Sequence, residues 1–273
     1  VPVLKSFARG RLFGATWGSG VPSVLALHGW QRTHNDFSPV FDRPGSPGDP
    51  AAVGVDLFGF GATPPPPEAW GTAEYARHLV PLFEEAGTLA DRVVVVGHSF
   101  GGRVAIRLQA MVPDRIERMV LTGVPLLDRE GRRSRPATAY RLVRRLHRMG
   151  VVGDERMEAM RNRYGSADYR SAQGVMREVF VRVLAEQYGD ELASIDCPVD
   201  LVWGEDDTEV PVEVAARARA LLPSATLTIL PGVGHLTPTE APAALREIVL
   251  GRRGPETPTG VGPVDDTPAG DTP

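Results

Sequence analysis

The chain has 273 residues, 42% of them apolar, a formal net charge of −4 and one cysteine. That length can bury a sizeable core as one or two units, at about 150 residues per domain. The mild negative charge and the lack of any basic stretch interleaved with aromatics exclude a general nucleic-acid binder, and a lone thiol, Cys197, excludes an internal disulfide. No run of 18 apolar residues and no charged-then-apolar leader occurs, so no membrane span is expected and the cytoplasm is the expected compartment. The first residue is Val rather than Met, which points to removal of an initiating Met. No pattern specifies an oligomeric state.

In chain order, Val3 to Ala8 and Arg11 to Trp17 read as a hairpin turning at Arg9 and Gly10. Strands then alternate with helices: Val24 to Leu27, Ala51 to Asp56, a helix from Thr72 to Ala86, Val93 to Val96, a helix from Phe100 to Met111, and Arg118 to Thr122. Such alternation calls for a mostly parallel sheet covered by helices on both faces. Pro64 to Pro67 form a stiff spacer leaving the turn Phe58 to Gly61, whose two phenylalanines suit either a pocket mouth or a sheet edge. Between Pro125 and Asp196 the alternation stops. Leu142, Val143 and Leu146, then Met176, Val179, Phe180 and Val183, recur at helical spacing, so a helical insertion follows the sixth strand. Alternation resumes with Val199 to Trp203, Thr226 to Leu230 and a helix starting near Pro238. The expected division is a core over 1–124 and 197–250, a helical cap over 125–196 and a tail over 251–273. With five prolines, five glycines and no aromatic residue, that tail cannot offset its chain entropy and is expected to be disordered.

Residues 92–102 read RVVVVGHSFGG, an apolar run that breaks at Gly97 and leads into Ser99. This is a nucleophile elbow: a strand end, a sharp turn that exposes a serine hydroxyl, and a helix. The glycines at 97 and 101 relieve crowding and can adopt backbone angles costly for other residues. A serine hydroxyl needs a base to take its proton, and the base needs an acid to orient it. Acids follow the Val199 strand at Glu205, Asp206 and Asp207, and His235 follows the Thr226 strand. Asp206 and Asp207 differ only in which way they point.

These stretches, with Leu27-His28-Gly29-Trp30, Asp56 to Gly61, Trp203 to Asp207 and Gly234-His235, resemble the α/β-hydrolase family over about residues 20–250, in particular the cap-bearing branch of bacterial esterases and haloperoxidase-like enzymes. The resemblance implies an α/β-hydrolase fold and the chain order Ser, acid, His. It implies Ser99 as nucleophile, His235 as general base and then acid, and Asp207 as the orienting carboxylate, since the family pattern is Gly-x-x-Asp. It also places the oxyanion donors at the backbone N–H groups of Trp30 and Phe100. The activity so implied is a serine hydrolase acting on a small ester, thioester or activated amide without a cofactor. A perhydrolase, a slow-turnover ligand sensor and, ranked lower because His28-Gly29-Trp30-Gln31 is not a glycine-rich loop, a carbon-carbon bond hydrolase remain as alternatives. A serine at the elbow disfavours epoxide hydrolases and dehalogenases.

The other histidines carry no such pattern. His28 is expected to brace its loop, His98 to point away from Ser99, and His34, His78 and His147 to be solvated. No metal-ligand spacing occurs. Cys197, next to Pro198, reads as a buried structural thiol. Residues 128–170 hold twelve arginines against six acids, which would suit an anionic small-molecule substrate, although Lys5 is the sole lysine and arginine is simply this chain's cation.

Overall fold

Apolar residues alternate between two layers along the central strands, which is what strands buried on both faces require. The computed structural model describes residues 3–42, 49–127, 143, 145–147, 149–153, 155–157 and 167–252. Eight strands form one sheet: β1 (Val3–Phe7), β2 (Leu12–Trp17), β3 (Val24–Leu27), β4 (Ala52–Asp56), β5 (Val93–His98), β6 (Ile116–Thr122), β7 (Val199–Gly204) and β8 (Ala225–Leu230). Their order is β1-β2-β4-β3-β5-β6-β7-β8. The β1–β2 and β2–β4 pairs are antiparallel, and every pair from β4–β3 to β7–β8 is parallel.

Leu25, Leu27, Val53, Val55, Val93, Val95, Met119, Leu121 and Leu201 face one layer, where Tyr75, Ala76 and Leu79 of the helix Thr72–Leu79 meet Val104, Ala105 and Leu108 of the helix Phe100–Met111. Val24, Ala26, Ala52, Val96, Val120 and Val202 face the other, against Phe37, Phe41, Leu245 and Ile248. Helices thus cover both faces, as the sequence pattern requires.

The differences in detail have local causes. The helix expected over 72–86 is divided into Thr72–Leu79 and Pro81–Glu84, because Pro81 has no N–H to continue the ladder. The helix near Pro238 is likewise two pieces, Thr237–Glu240 and Pro242–Val249, hinged at Ala241. β5 runs two residues beyond Val96, because Gly97 and His98 still pair with Leu121 and Thr122 of β6.

Between β6 and β7 lie the helices Ala167–Ser171, Val175–Leu184 and Gly189–Ala193. Arg103 pins the second of them to the core: its Nε and Nη2 donate to the Pro125 carbonyl at 3.0 and 2.8 Å, and its Nη1 donates to the Val183 carbonyl at 2.7 Å. Most of the arginine-rich segment, Leu142 and residues 253–273 lie outside the described residues. Among the described residues no helix is long and apolar enough to cross a membrane.

Leu121 is fully buried in the middle of the sheet. Leu121→Ala should lower stability by about 3 kcal/mol, through lost transfer energy plus the cavity left behind, read as a fall in the urea midpoint without a change in slope.

Candidate active site

The carboxyl ends of β3, β5, β7 and β8 deliver the residues that the sequence singles out to one edge of the sheet. β5 ends at His98, Ser99 turns at φ 50°, ψ −113°, and the helix starts at Phe100. Ser99 therefore carries the turn's strain itself, of order 1–3 kcal/mol for such a backbone. Gly97 and Gly101 do not adopt positive φ; the reason for glycine there is crowding alone. A Cβ on Gly97 would stand 2.5 Å from Gly102 Cα, and one on Gly101 would stand 2.1 Å from the Leu27 carbonyl oxygen. The Ser99 N–H donates to the Thr122 carbonyl at 2.9 Å, tying the turn to β6.

The loop after β3 lies against this turn: a Cβ on Gly29 would be 3.0 Å from His98 Cδ2 and 3.4 Å from Ser99 Cβ. His28 is fully buried; its Nδ1–H donates to the Gly29 carbonyl at 2.7 Å and its Nε2 accepts the Leu57 N–H at 2.9 Å. It braces the loop, and burial lowers its pKa to about 4, so it stays neutral. Among the described residues no backbone carbonyl takes the Trp30 N–H, and the Phe100 N–H belongs to the first helical turn, where no intrahelical acceptor exists.

After β7, Asp207 is buried while Asp206 is exposed. Asp207 Oδ1 accepts the N–H groups of Glu209 and Val210 at 2.9 and 2.8 Å, and Oδ2 accepts from His235 Nδ1 at 2.8 Å. Burial alone would lower the pKa of His235, but the Asp207 hydrogen bond and charge, with Glu209 and Glu240, outweigh it and hold it above its ordinary value. Glu240 shapes the histidine loop by accepting from Gly234 N–H at 2.6 Å and Leu236 N–H at 3.1 Å. No hydrogen bond joins Ser99 Oγ to His235 among the described residues. His98, next to Ser99 in the chain, has its ring centre 5.0 Å from that of His235. His98 donates from Nδ1 to the Thr122 carbonyl at 3.1 Å, and burial, then the charge of His235, lowers its pKa to about 3.

Three features have no signature in the sequence. An aromatic wall joins the β3 loop to the inserted helices: Trp30 contacts Phe60, Phe100 and Phe180 at ring-centre distances of 5.0, 5.4 and 4.9 Å. Phe60 thus lines the site, whereas Phe58 packs on Trp70 at 5.0 Å. Gln31, exposed and at φ 55°, donates from Nε2 to Ser171 Oγ at 2.6 Å, a second link to those helices. Glu209 Oε2 stands 3.6 Å from His235 Nε2.

The expectation that His34 and His78 are solvated is corrected. His34 is buried and its Nδ1–H donates to Asp56 Oδ1 at 2.7 Å, since Asp56, itself buried at the end of β4, requires donors. His78 is half-buried and stacks on Trp70 at 4.0 Å, and His147 is half-buried. Cys197 is buried and its pKa is raised by that burial. No cluster of three potential metal ligands occurs among the described residues.

The alpha/beta hydrolase family profile matches residues 24–248, and the chain belongs to that family. It is 26% identical to a 2-hydroxy-6-oxononadienedioate/2-hydroxy-6-oxononatrienedioate hydrolase of Cupriavidus pinatubonensis, over 85% of this chain and 87% of that protein. Among solved structures it resembles a thermophilic esterase from Thermogutta terrifontis (TM-score 0.62, 20% identity, 91% of this chain and 96% of that one). It also resembles Est816, described as an N-acyl homoserine lactone degrading enzyme (TM-score 0.63, 21% identity, 88% and 96%). At these identities the solved structures speak for the fold.

Neutral buried imidazoles make stability depend on pH. His28 has a folded pKa of about 4 against 6.5 unfolded, so below pH 6.5 the unfolded chain binds a proton that the folded chain refuses. Stability should therefore fall as the pH drops from about 6.5 to 4, by roughly 3 kcal/mol for this residue alone. His28→Gln, which can still donate to Gly29 and accept from Leu57, should flatten that slope in urea titrations at pH 7, 5.5 and 4.

Proposed function

We propose that the protein is a serine hydrolase that cleaves a small ester, thioester or activated amide through an acyl-enzyme on Ser99. The observation that carries this reading is the 2.8 Å bond between buried Asp207 and His235 Nδ1, next to a strained serine at a strand-to-helix turn. That bond fixes the tautomer, leaving Nε2 unprotonated to take the Ser99 proton as Oγ attacks the carbonyl carbon. The negative charge then growing on the carbonyl oxygen meets two preset donors, the N–H groups of Trp30 and Phe100. The imidazolium returns its proton to the leaving group, and water, activated by the same nitrogen, releases the acid. The inserted helices act as a cap in this reading. The contact of Phe180 with Trp30 supports it, because it brings the insertion over the oxyanion loop, where it excludes water and bounds the acyl side.

A second reading keeps the same three residues but applies them to carbon-carbon bond hydrolysis, and is favoured by the likeness to the dienedioate hydrolase. Against it stands the aromatic Trp30 in the loop after β3 where a glycine-rich turn would leave more room.

A fluorophosphonate probe should label the wild-type chain and not Ser99→Ala, and short p-nitrophenyl esters should turn over in a burst. Asp207→Asn should lower kcat by about 10²- to 10⁴-fold, while Asp206→Asn should leave it within about twofold, since only the first holds the imidazole. Equal, mild losses in both would overturn the assignment. Because His235 titrates above 6.5, kcat/KM should rise with pH through an apparent pKa above that value; a limb near 5 would show that another group is the base.

A further inference from the structure

The leaving group of an acyl transfer must come within hydrogen-bond reach, about 3 Å, of the nitrogen that protonates it. In a serine hydrolase built on Ser99, the reading on which this inference rests, that nitrogen is His235 Nε2. Glu209 Oε2 is already 3.6 Å from it, on a side chain 67% exposed. The other acids around the ring are committed. Asp207 accepts two backbone N–H groups and Nδ1–H, and Glu240 accepts the N–H groups of Gly234 and Leu236. His98, the remaining titratable neighbour, is buried and neutral at ordinary pH. The carboxylate of Glu209 accepts no hydrogen bond among the described residues. Among the described residues it is therefore the uncommitted charge nearest that nitrogen. It lies beside the nitrogen that the departing group must reach, whereas the rings of Phe60, Phe100 and Phe180 that gather on Trp30 in the loop after β3 carry no charge.

We propose that Glu209 is a specificity-determining residue on the leaving-group side of His235, selecting substrates whose leaving alcohol, thiol or amine carries a positive charge over neutral and anionic ones of the same shape. A cation held there gains from an exposed carboxylate a few ångströms away, and an anion loses, by amounts that salt reduces.

The test uses the full chain and three acetate esters of matched reach: choline (cationic), 3,3-dimethylbutanol (neutral, isosteric) and 3-hydroxypropanesulfonate (anionic). Ratios of kcat/KM are measured at low and at high ionic strength for the wild type, Glu209→Gln and Glu209→Lys, with Ser99→Ala as the blank. Expected is a choline-to-neutral ratio that falls about threefold to fivefold in Glu209→Gln, falls further in Glu209→Lys, and shrinks with salt in the wild type only. Ratios equal in the wild type and both variants, or a wild-type preference for the sulfonate ester, would overturn the proposal. Fluorophosphonate labelling separates the two levels. An enzyme that is labelled but shows unchanged ratios loses the role of Glu209 alone, whereas a wild type that is not labelled loses the serine-hydrolase reading, and this proposal with it.

Discussion

Asp207 is buried at 4% exposure with its two oxygens committed in opposite directions, one to the backbone of its own turn and one to a histidine 28 positions further along the chain. An ionised carboxylate in such a place is tolerable only if its donors are present and well aimed. The turn after β7 supplies two of them, and His235 is held in place because it supplies the third. Everything around the histidine inherits that constraint: the side from which Nε2 can be approached, the contact of its ring with His98, and the nearness of Glu209.

The sheet turns this pairwise constraint into a site. Parallel strands all end at the same edge, so the loops after β3, β5, β7 and β8 meet there although they are separated by up to about two hundred residues. Close approach of these loops is achieved by giving up side-chain volume at Gly29, Gly97, Gly101 and Gly102, where a Cβ would meet a neighbouring ring, backbone or side chain. Strain is not spread over those glycines but concentrated on Ser99, where the surrounding packing over-determines an unfavourable backbone angle.

The inserted helices are attached at several points of different chemistry. Arg103 grips the Pro125 carbonyl where the insertion begins and the Val183 carbonyl inside it, Phe180 packs on Trp30, and Gln31 bonds Ser171. Two of these contacts fall on consecutive residues of the loop that carries the Trp30 N–H, so the position of the insertion and the geometry of that loop are mechanically linked. The resulting site is asymmetric, with aromatic rings on one side of Ser99 and acidic groups around His235 on the other.

Periodicity and turn chemistry are local, and what depends on them was legible in the chain: the alternation of strands and helices, the strand-turn-helix around Ser99, and the helical insertion after β6. The helix expected over 72–86 failed at Pro81 for an equally local reason. The choice between Asp206 and Asp207 as the partner of His235, the burial of His34 against Asp56, the reach of Glu209 to His235 and the aromatic wall were decided only by the tertiary structure. Each of them joins residues from different strands or loops, and side-chain direction across such a gap is set by how the sheet twists and packs, which no spacing along the chain records.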